Sequence, residues 1–215
     1  MRIGIFGGSF DPPHIGHLLV AQDAREALAL DRLIVIPAAT QPLKQEGRTV
    51  AAHRLAMVER CFEDVRGIDV DPIEIERGGL SFMVDTVDAL LRRWPSATLH
   101  LLVGEDVVRT LSLWREPARL LSMVQLVVLR RDLDEEGNPF LPSSDSGADT
   151  QVQGAIDGAR RLETRRVDVS STEIRARVRA GRSIRGFVPA AVESYIASAG
   201  LYVRVTTADD VPARA

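Results

Sequence analysis

Apolar residues follow two periods along this chain, and the two alternate. Short, nearly continuous apolar runs at 2–6, 33–37, 99–103 and 124–129 read as strands covered on both faces. Between them the apolar positions recur at helical spacing. Leu18, Leu19, Ala21, Ala24 and Leu28 mark a helix over 15–28, and Phe82, Val84, Val87, Leu90 and Leu91 mark one over 81–94. A further helix is predicted over 51–62. The segment 68–75 reads as a strand bent at Pro72, and 106–113 and 116–121 as short helices. Beyond them a strand is expected at 165–169, a helix from Ser170 or Ser171 to 180, and a last helix from Pro189 to Gly200, a C-terminal cap. Such alternation predicts an α/β, Rossmann-like doubly wound fold, a mostly parallel sheet with helices on both faces. One domain is expected over 1–205. It includes a mobile polar excursion over 132–158, rich in Asp, Glu, Ser, Gly and Pro at 132–149, and is followed by a frayed tail over 206–215.

Composition narrows the function classes. The 215 residues carry 45% hydrophobic and 27% charged positions and a net charge of −3, ordinary values for a globular chain. That balance lends no support to a general nucleic-acid or membrane-surface role. The oligomeric state is left open. The single cysteine, Cys61, lies on an apolar helical face and reads as a buried thiol. No apolar run suffices to span a bilayer, and the first strand begins without a signal-peptide pattern, so a cytoplasmic location is expected.

The densest chemistry is in Gly7-Gly8-Ser9-Phe10-Asp11-Pro12-Pro13-His14-Ile15-Gly16-His17, where the first strand enters a glycine turn and leaves as a helix. The glycines allow close backbone approach. Pro12 and Pro13 fit only the start of a helix. Helix N-termini present unpaired N–H groups and favour anions. His14 and His17, three apart, share one side of the first turn and can each donate to a phosphate oxygen. Three readings stand beside one another: a structural turn, a metal site of Asp11, His14 and His17, and a nucleotide-phosphate site. The dinucleotide fingerprint G-x-G-x-x-G and the P-loop are both missing from this turn.

A second strand-to-helix junction, Ser170-Ser171-Thr172-Glu173-Ile174-Arg175, has more hydroxyls than capping requires. Its surplus donors and Arg175 suit another portion of a polyphosphate. Lys44, in the polar loop after the second strand, is a third candidate, against the ordinary reading of a solvated lysine.

Together these segments resemble the two signatures of H-x-G-H nucleotidylyltransferases, in the branch of bacterial nicotinate-nucleotide adenylyltransferases. Glu76-Arg77-Gly78-Gly79 with Ser81-Phe82-Met83-Val84-Asp85-Thr86 is similar to the family's E-x-x-R-G-x-S-Y-T-x-D-T region. Gly104-Glu105-Asp106 with Trp114 looks like its G-x-D segment and downstream tryptophan. Val188-Pro189 through Tyr195-Ile196 and Leu201-Tyr202 resembles its C-terminal helix, so the likeness covers about 2–203. The resemblance implies adenylyl transfer from ATP to nicotinate mononucleotide. By it, His14 and His17 contact the reacting phosphates, His17 foremost, while Lys44 and Arg175 support the β/γ-phosphates. Gly7, Gly8, Ser9, Phe10, Gly16, Gly104, Asp106, Ser170, Ser171 and Thr172 complete the ATP site. Lys44, Phe82, Met83, Asp85, Thr86 and Trp114 form the mononucleotide site, with the indole of Trp114 stacked on the pyridine ring. Mg2+ is implied with ATP, held by phosphates and water rather than by the protein.

Three positions depart from the family's pattern. Leu43 stands where histidine is frequent, Met83 where threonine is usual, and Arg130-Arg131-Asp132 where arginine-proline-glycine is common. The alternatives are a related enzyme acting on nicotinamide mononucleotide, a metal hydrolase using Asp11, His14 and His17, and a catalytically silent nucleotide binder.

Overall fold

The computed structural model describes residues 1–42, 49–131 and 150–203. In chain order it contains β1 (Arg2–Gly8), α1 (Ile15–Ala27), β2 (Arg32–Pro37), α2 (Ala51–Phe62), β3 (Ile68–Val70), α3 (Ile73–Arg77), α4 (Met83–Arg93), β4 (Thr98–Gly104) and α5 (Glu105–Val108). A 3-10 turn (Leu111–Leu113) then leads into α6 (Pro117–Met123), β5 (Gln125–Arg131), α7 (Thr150–Asp157), β6 (Arg160–Thr164), α8 (Ser171–Arg179) and α9 (Ala190–Ser198).

The strands form one six-stranded sheet in the order β3-β2-β1-β4-β5-β6. Every neighbouring pair is parallel, with Ile5 of β1 opposite Ile34 of β2 and Leu101 of β4. The chain works outward from β1 in both directions, so the connections diverge between β1 and β4. Ligands of doubly wound sheets bind beyond the strand C-termini at such a point.

Both sheet faces are covered, which explains the uninterrupted apolar strands. On one face Leu33 and Val35 pack with Ala21 and Ala24 of α1, Met57, Val58 and Cys61 of α2, Ile174 of α8, and Val192 and Ile196 of α9. On the other, Ile3, Ile5, Ile34 and Ile36 pack with Val84, Val87 and Leu90 of α4, Leu120 of α6, and Val152 and Ile156 of α7. Cys61 is buried as expected, and burial pushes its thiol up to about 12. Gly200, at a φ of 59°, closes α9 in the left-handed conformation that glycine tolerates.

Three elements differ from the sequence reading. The expected strand over 68–75 stops at Val70, and α3 follows. Asp71 accepts the Ile73 N–H at 3.0 Å with Pro72 beside it, so an aspartate-proline pair starts a helix where the apolar run suggests a strand. The strand expected at 165–169 lies earlier, at Arg160–Thr164, where Arg161 pairs with Val128 and Thr164 with Arg131. This edge strand is polar, which hides it from an apolar search. Arg165, just beyond it, instead forks onto Asp23 of α1 at 2.7 and 2.8 Å. The excursion expected over 132–158 includes α7, whose Val152 and Ile156 are four apart and buried, giving a helix with a narrow apolar stripe. Residues 132–149 and the expected tail over 206–215 lie outside the described residues. Among the described residues no helix is long and apolar enough to cross a membrane.

Candidate active site

The loop from β1 to α1 is fixed from below. Phe10 is buried at a φ of 49°, an unusual conformation for a bulky residue and one that collects at functional sites. Its ring meets those of Phe6 and His17 edge-on, at centroid distances of 5.6 and 5.1 Å. The side chain therefore belongs to the core under the loop. Arg54, on α2 and 1% exposed, donates from Nε to the Thr49 carbonyl, from Nη1 to Ser9 and from Nη2 to Ala39, at 3.0, 2.9 and 2.7 Å. One buried guanidinium thus ties together the loops that follow β1 and β2.

His14 is the N-cap of α1, and its backbone N–H donates to Nδ1 of His17 at 3.2 Å. With Nδ1 accepting, the neutral His17 ring holds its proton on Nε2 as a donor. The two imidazoles lie against each other with centroids 3.7 Å apart and planes inclined by 34°. Gly16 makes room for this, since a Cβ there would sit 3.0 Å from Nδ1 of His14.

The second motif docks on the first. Ser171 Oγ donates to the Pro12 carbonyl at 2.8 Å, and Arg175 Nη1 donates to the Asp11 carbonyl at 2.7 Å. Arg175 Nη2 also donates to Thr172 Oγ1 at 3.2 Å, and Ser170 Oγ caps α8 by accepting the Glu173 N–H at 3.1 Å. The N-termini of α1 and α8 therefore flank one loop.

Asp11 is 6% exposed, and both carboxylate oxygens are used. Oδ1 accepts from Tyr202 at 2.6 Å and Oδ2 from the Thr49 N–H at 3.3 Å. Burial foremost, then the Asp11 contact, pushes the Tyr202 hydroxyl well above the ordinary tyrosine range. The metal set of Asp11, His14 and His17 is not assembled. Among the described residues no three His, Cys, Asp or Glu side chains converge as a cation cage.

Between the C-terminal ends of β1 and β4 opens a cleft lined by Gly7, Gly8, Gly104, Phe82, Met83 and Trp114, all expected, and by Gln41, Glu74, Thr110 and Arg115, which sequence reasoning missed. At Gly7 a Cβ would lie 2.7 Å from Cε of Met83, so the flexible end of that side chain would have to move. The N-terminus of α4 enters the same cleft through Phe82 and Met83.

Asp85 and Thr86 stand behind this wall. Thr86, fully buried, donates to Glu74 Oε1 at 2.7 Å and accepts from Arg77 at 3.1 Å, contacts that brace the wall of the cleft. Burial raises the Glu74 carboxyl, opposed by hydrogen bonds from Thr86 and Ser81 and by the Arg77 charge. Asp85 accepts from Arg115 at 3.3 Å. Asp106 is exposed in the first turn of α5. Lys44 lies outside the described residues. The missed residues had faint signals: Arg54 interrupts the apolar face of α2, and Arg115 directly follows Trp114.

Residues 5–177 match the cytidylyltransferase-like family model. A protein of Gemmatimonas aurantiaca named "Probable nicotinate-nucleotide adenylyltransferase" is 66% identical over 204 residues, covering 94% of this chain and 92% of its own. The chain belongs to the nicotinate-nucleotide adenylyltransferase family. Another member so named, from Thermus thermophilus, is 38% identical over 205 residues, covering 94% of this chain and 100% of its own. In fold, this family member is similar to the Plasmodium falciparum nicotinic acid mononucleotide adenylyltransferase solved with NaAD. The TM-score is 0.72 at 17% identity, covering 94% of this chain and 97% of that one.

Proposed function

We propose that this protein transfers the adenylyl group of ATP to nicotinate mononucleotide, forming nicotinate adenine dinucleotide and pyrophosphate, a step of NAD biosynthesis. The observation that carries the reading is continuity. Gly7 and Gly8 line the aromatic cleft and lead directly into the loop capped by His14 and His17. A ring-binding cleft and an anion-binding loop are thus two sides of one turn.

In the proposed reaction a phosphate oxygen of the mononucleotide attacks the α-phosphorus of ATP. The new P–O bond forms as the bond to pyrophosphate breaks, and pyrophosphate carries away the leaving electron pair. No protein nucleophile is required, so positioning and charge stabilisation supply the rate. We assign His17 Nε2–H to the α-phosphoryl oxygens and His14 to the same group from the adjacent face. Arg175, Ser171 and Thr172 take the β/γ-phosphates with the α8 N-terminus, while Gly104 and Asp106 accommodate the adenosine. Lys44 is assigned to the phosphates of either substrate. Trp114 stacks on the pyridine, with the α4 N-terminus facing its carboxylate. ATP is taken as its magnesium complex, with the ion held by substrate oxygens. The donor set fits this, because the Asp11 oxygens serve Tyr202 and Thr49.

Purified protein mixed with magnesium, ATP and nicotinate mononucleotide should release pyrophosphate and yield the dinucleotide, read by chromatography. No pyrophosphate release would overturn the assignment.

A further inference from the structure

Arg115 is the only cationic side chain among the described residues lining the cleft, and neither phosphate motif accounts for it. Its guanidinium carbon lies 4.8 Å from the centroid of the Phe82 ring, at the N-cap of α4. Nη1 donates to Asp85 at 3.3 Å, and Nε lies 3.5 Å from Glu116. These contacts use Nε and Nη1 of a five-donor fork, and the Nη2 amino group is the part assigned to a ligand.

The position is fixed from behind. Glu116 has a φ of 48°, a strained conformation for a residue other than glycine, and directly precedes α6. It also accepts from Arg119 at 3.0 Å, and Arg119 in turn pairs with Asp88 of α4. Asp85, Arg115, Glu116, Arg119 and Asp88 therefore form a chain of alternating charge joining α4 to α6. Its one member in the cleft is a cation, next to the indole of Trp114.

We propose that Arg115 reads the charge on the pyridine ring, its Nη2 group taking the ring carboxylate while the Phe82 face and Asp85 hold the guanidinium in plane. A neutral carboxamide cannot form the ion pair, so Arg115 sets the preference for the acid over the amide. Met83, which offers no hydroxyl to either ring substituent, leaves that choice to Arg115 and the α4 N-terminus. This inference rests on the proposed reaction.

The test measures dissociation constants of nicotinate and nicotinamide mononucleotides by calorimetry for the wild type, Arg115→Gln and Arg115→Lys. Pyrophosphate release is measured in parallel. Arg115→Gln should lower the acid-over-amide affinity ratio by about tenfold or more, and Arg115→Lys should restore part of it, as the loss of one charge-assisted contact requires. An unchanged ratio overturns the proposal, as does parallel weakening of both ligands, which would place Arg115 on the shared ribose phosphate. Asp85→Asn, which keeps Arg115 but loosens it, should lower the ratio less than Arg115→Gln; an equal or larger loss would assign the discrimination to Asp85. Failure of the underlying reaction is separate: it appears as no pyrophosphate release by the wild type.

Discussion

Arg175 donates to the main-chain carbonyl of Asp11 at 2.7 Å, across a sequence separation of 164 residues. The contact joins the two strand-to-helix junctions. With the proposed phosphate contact Arg175 would have two duties, and they separate on substitution. Arg175→Ala should lower kcat/KM by roughly a hundredfold through lost phosphate contact. Arg175→Lys should recover the charge but not the fork, and regain only part of the rate. Steady-state kinetics at varied ATP read both.

His17→Ala removes the proposed donor to the α-phosphoryl oxygens and the acceptor of the His14 N–H. We expect kcat to fall by roughly 10²–10³-fold, the usual loss for one transition-state donor. The lost cap should cost about 1 kcal/mol of stability. ATP affinity, measured by calorimetry, should change much less. Unaltered kcat would show that the loop is a turn without chemistry.

Trp114→Ala should raise KM for the mononucleotide by up to about tenfold, from lost ring stacking. KM for ATP should stay the same. A rise confined to ATP would place the indole on the adenine instead.

Arg54→Met keeps most of the side-chain volume and strips three part-buried carbonyls of their donor. The lost hydrogen bonds make this a loss of about 3 kcal/mol. Urea unfolding should show the midpoint falling with the slope unchanged.

The Cys61 thiol is raised from 9.0 to about 12 by burial. The folded chain holds this proton after the unfolded chain has released it, so the stability is complete below pH 9 and declines as pH rises toward 12. In Cys61→Ala the decline of Tm between those values should be shallower. It will not vanish, because Tyr202 is raised in the same sense. Parallel slopes for the two proteins would remove Cys61 as the cause.

The fold was legible wherever burial is two-sided. Parallel strands with both faces covered read as apolar runs, and α1, α2 and α4 announced themselves by period. Reading failed where polarity and regular structure coincide. β6 is an edge strand with two leading arginines, and α3 starts on Asp71 and Pro72 inside an apolar stretch. In the candidate site, the glycines, histidines and hydroxyls stood out as a set because the proposed anion binding draws on a narrow set of residue types. Arg54, Tyr202 and Arg115 were not, since each acts through partners distant in sequence. The hydroxyl of Tyr202, for instance, reaches an oxygen of Asp11 over a separation of 191 residues.

That last contact has a consequence for the order of events during synthesis. The loop at 7–17 is made well before its C-terminal partner. The hydroxyl that donates to the buried Asp11 carboxylate is made 191 residues later. A nascent chain paused before Tyr202 lacks the partner of Asp11 Oδ1, and Thr49 alone meets the other oxygen. The loop proposed to take phosphate therefore gains its full set of partners only after residue 202 is made.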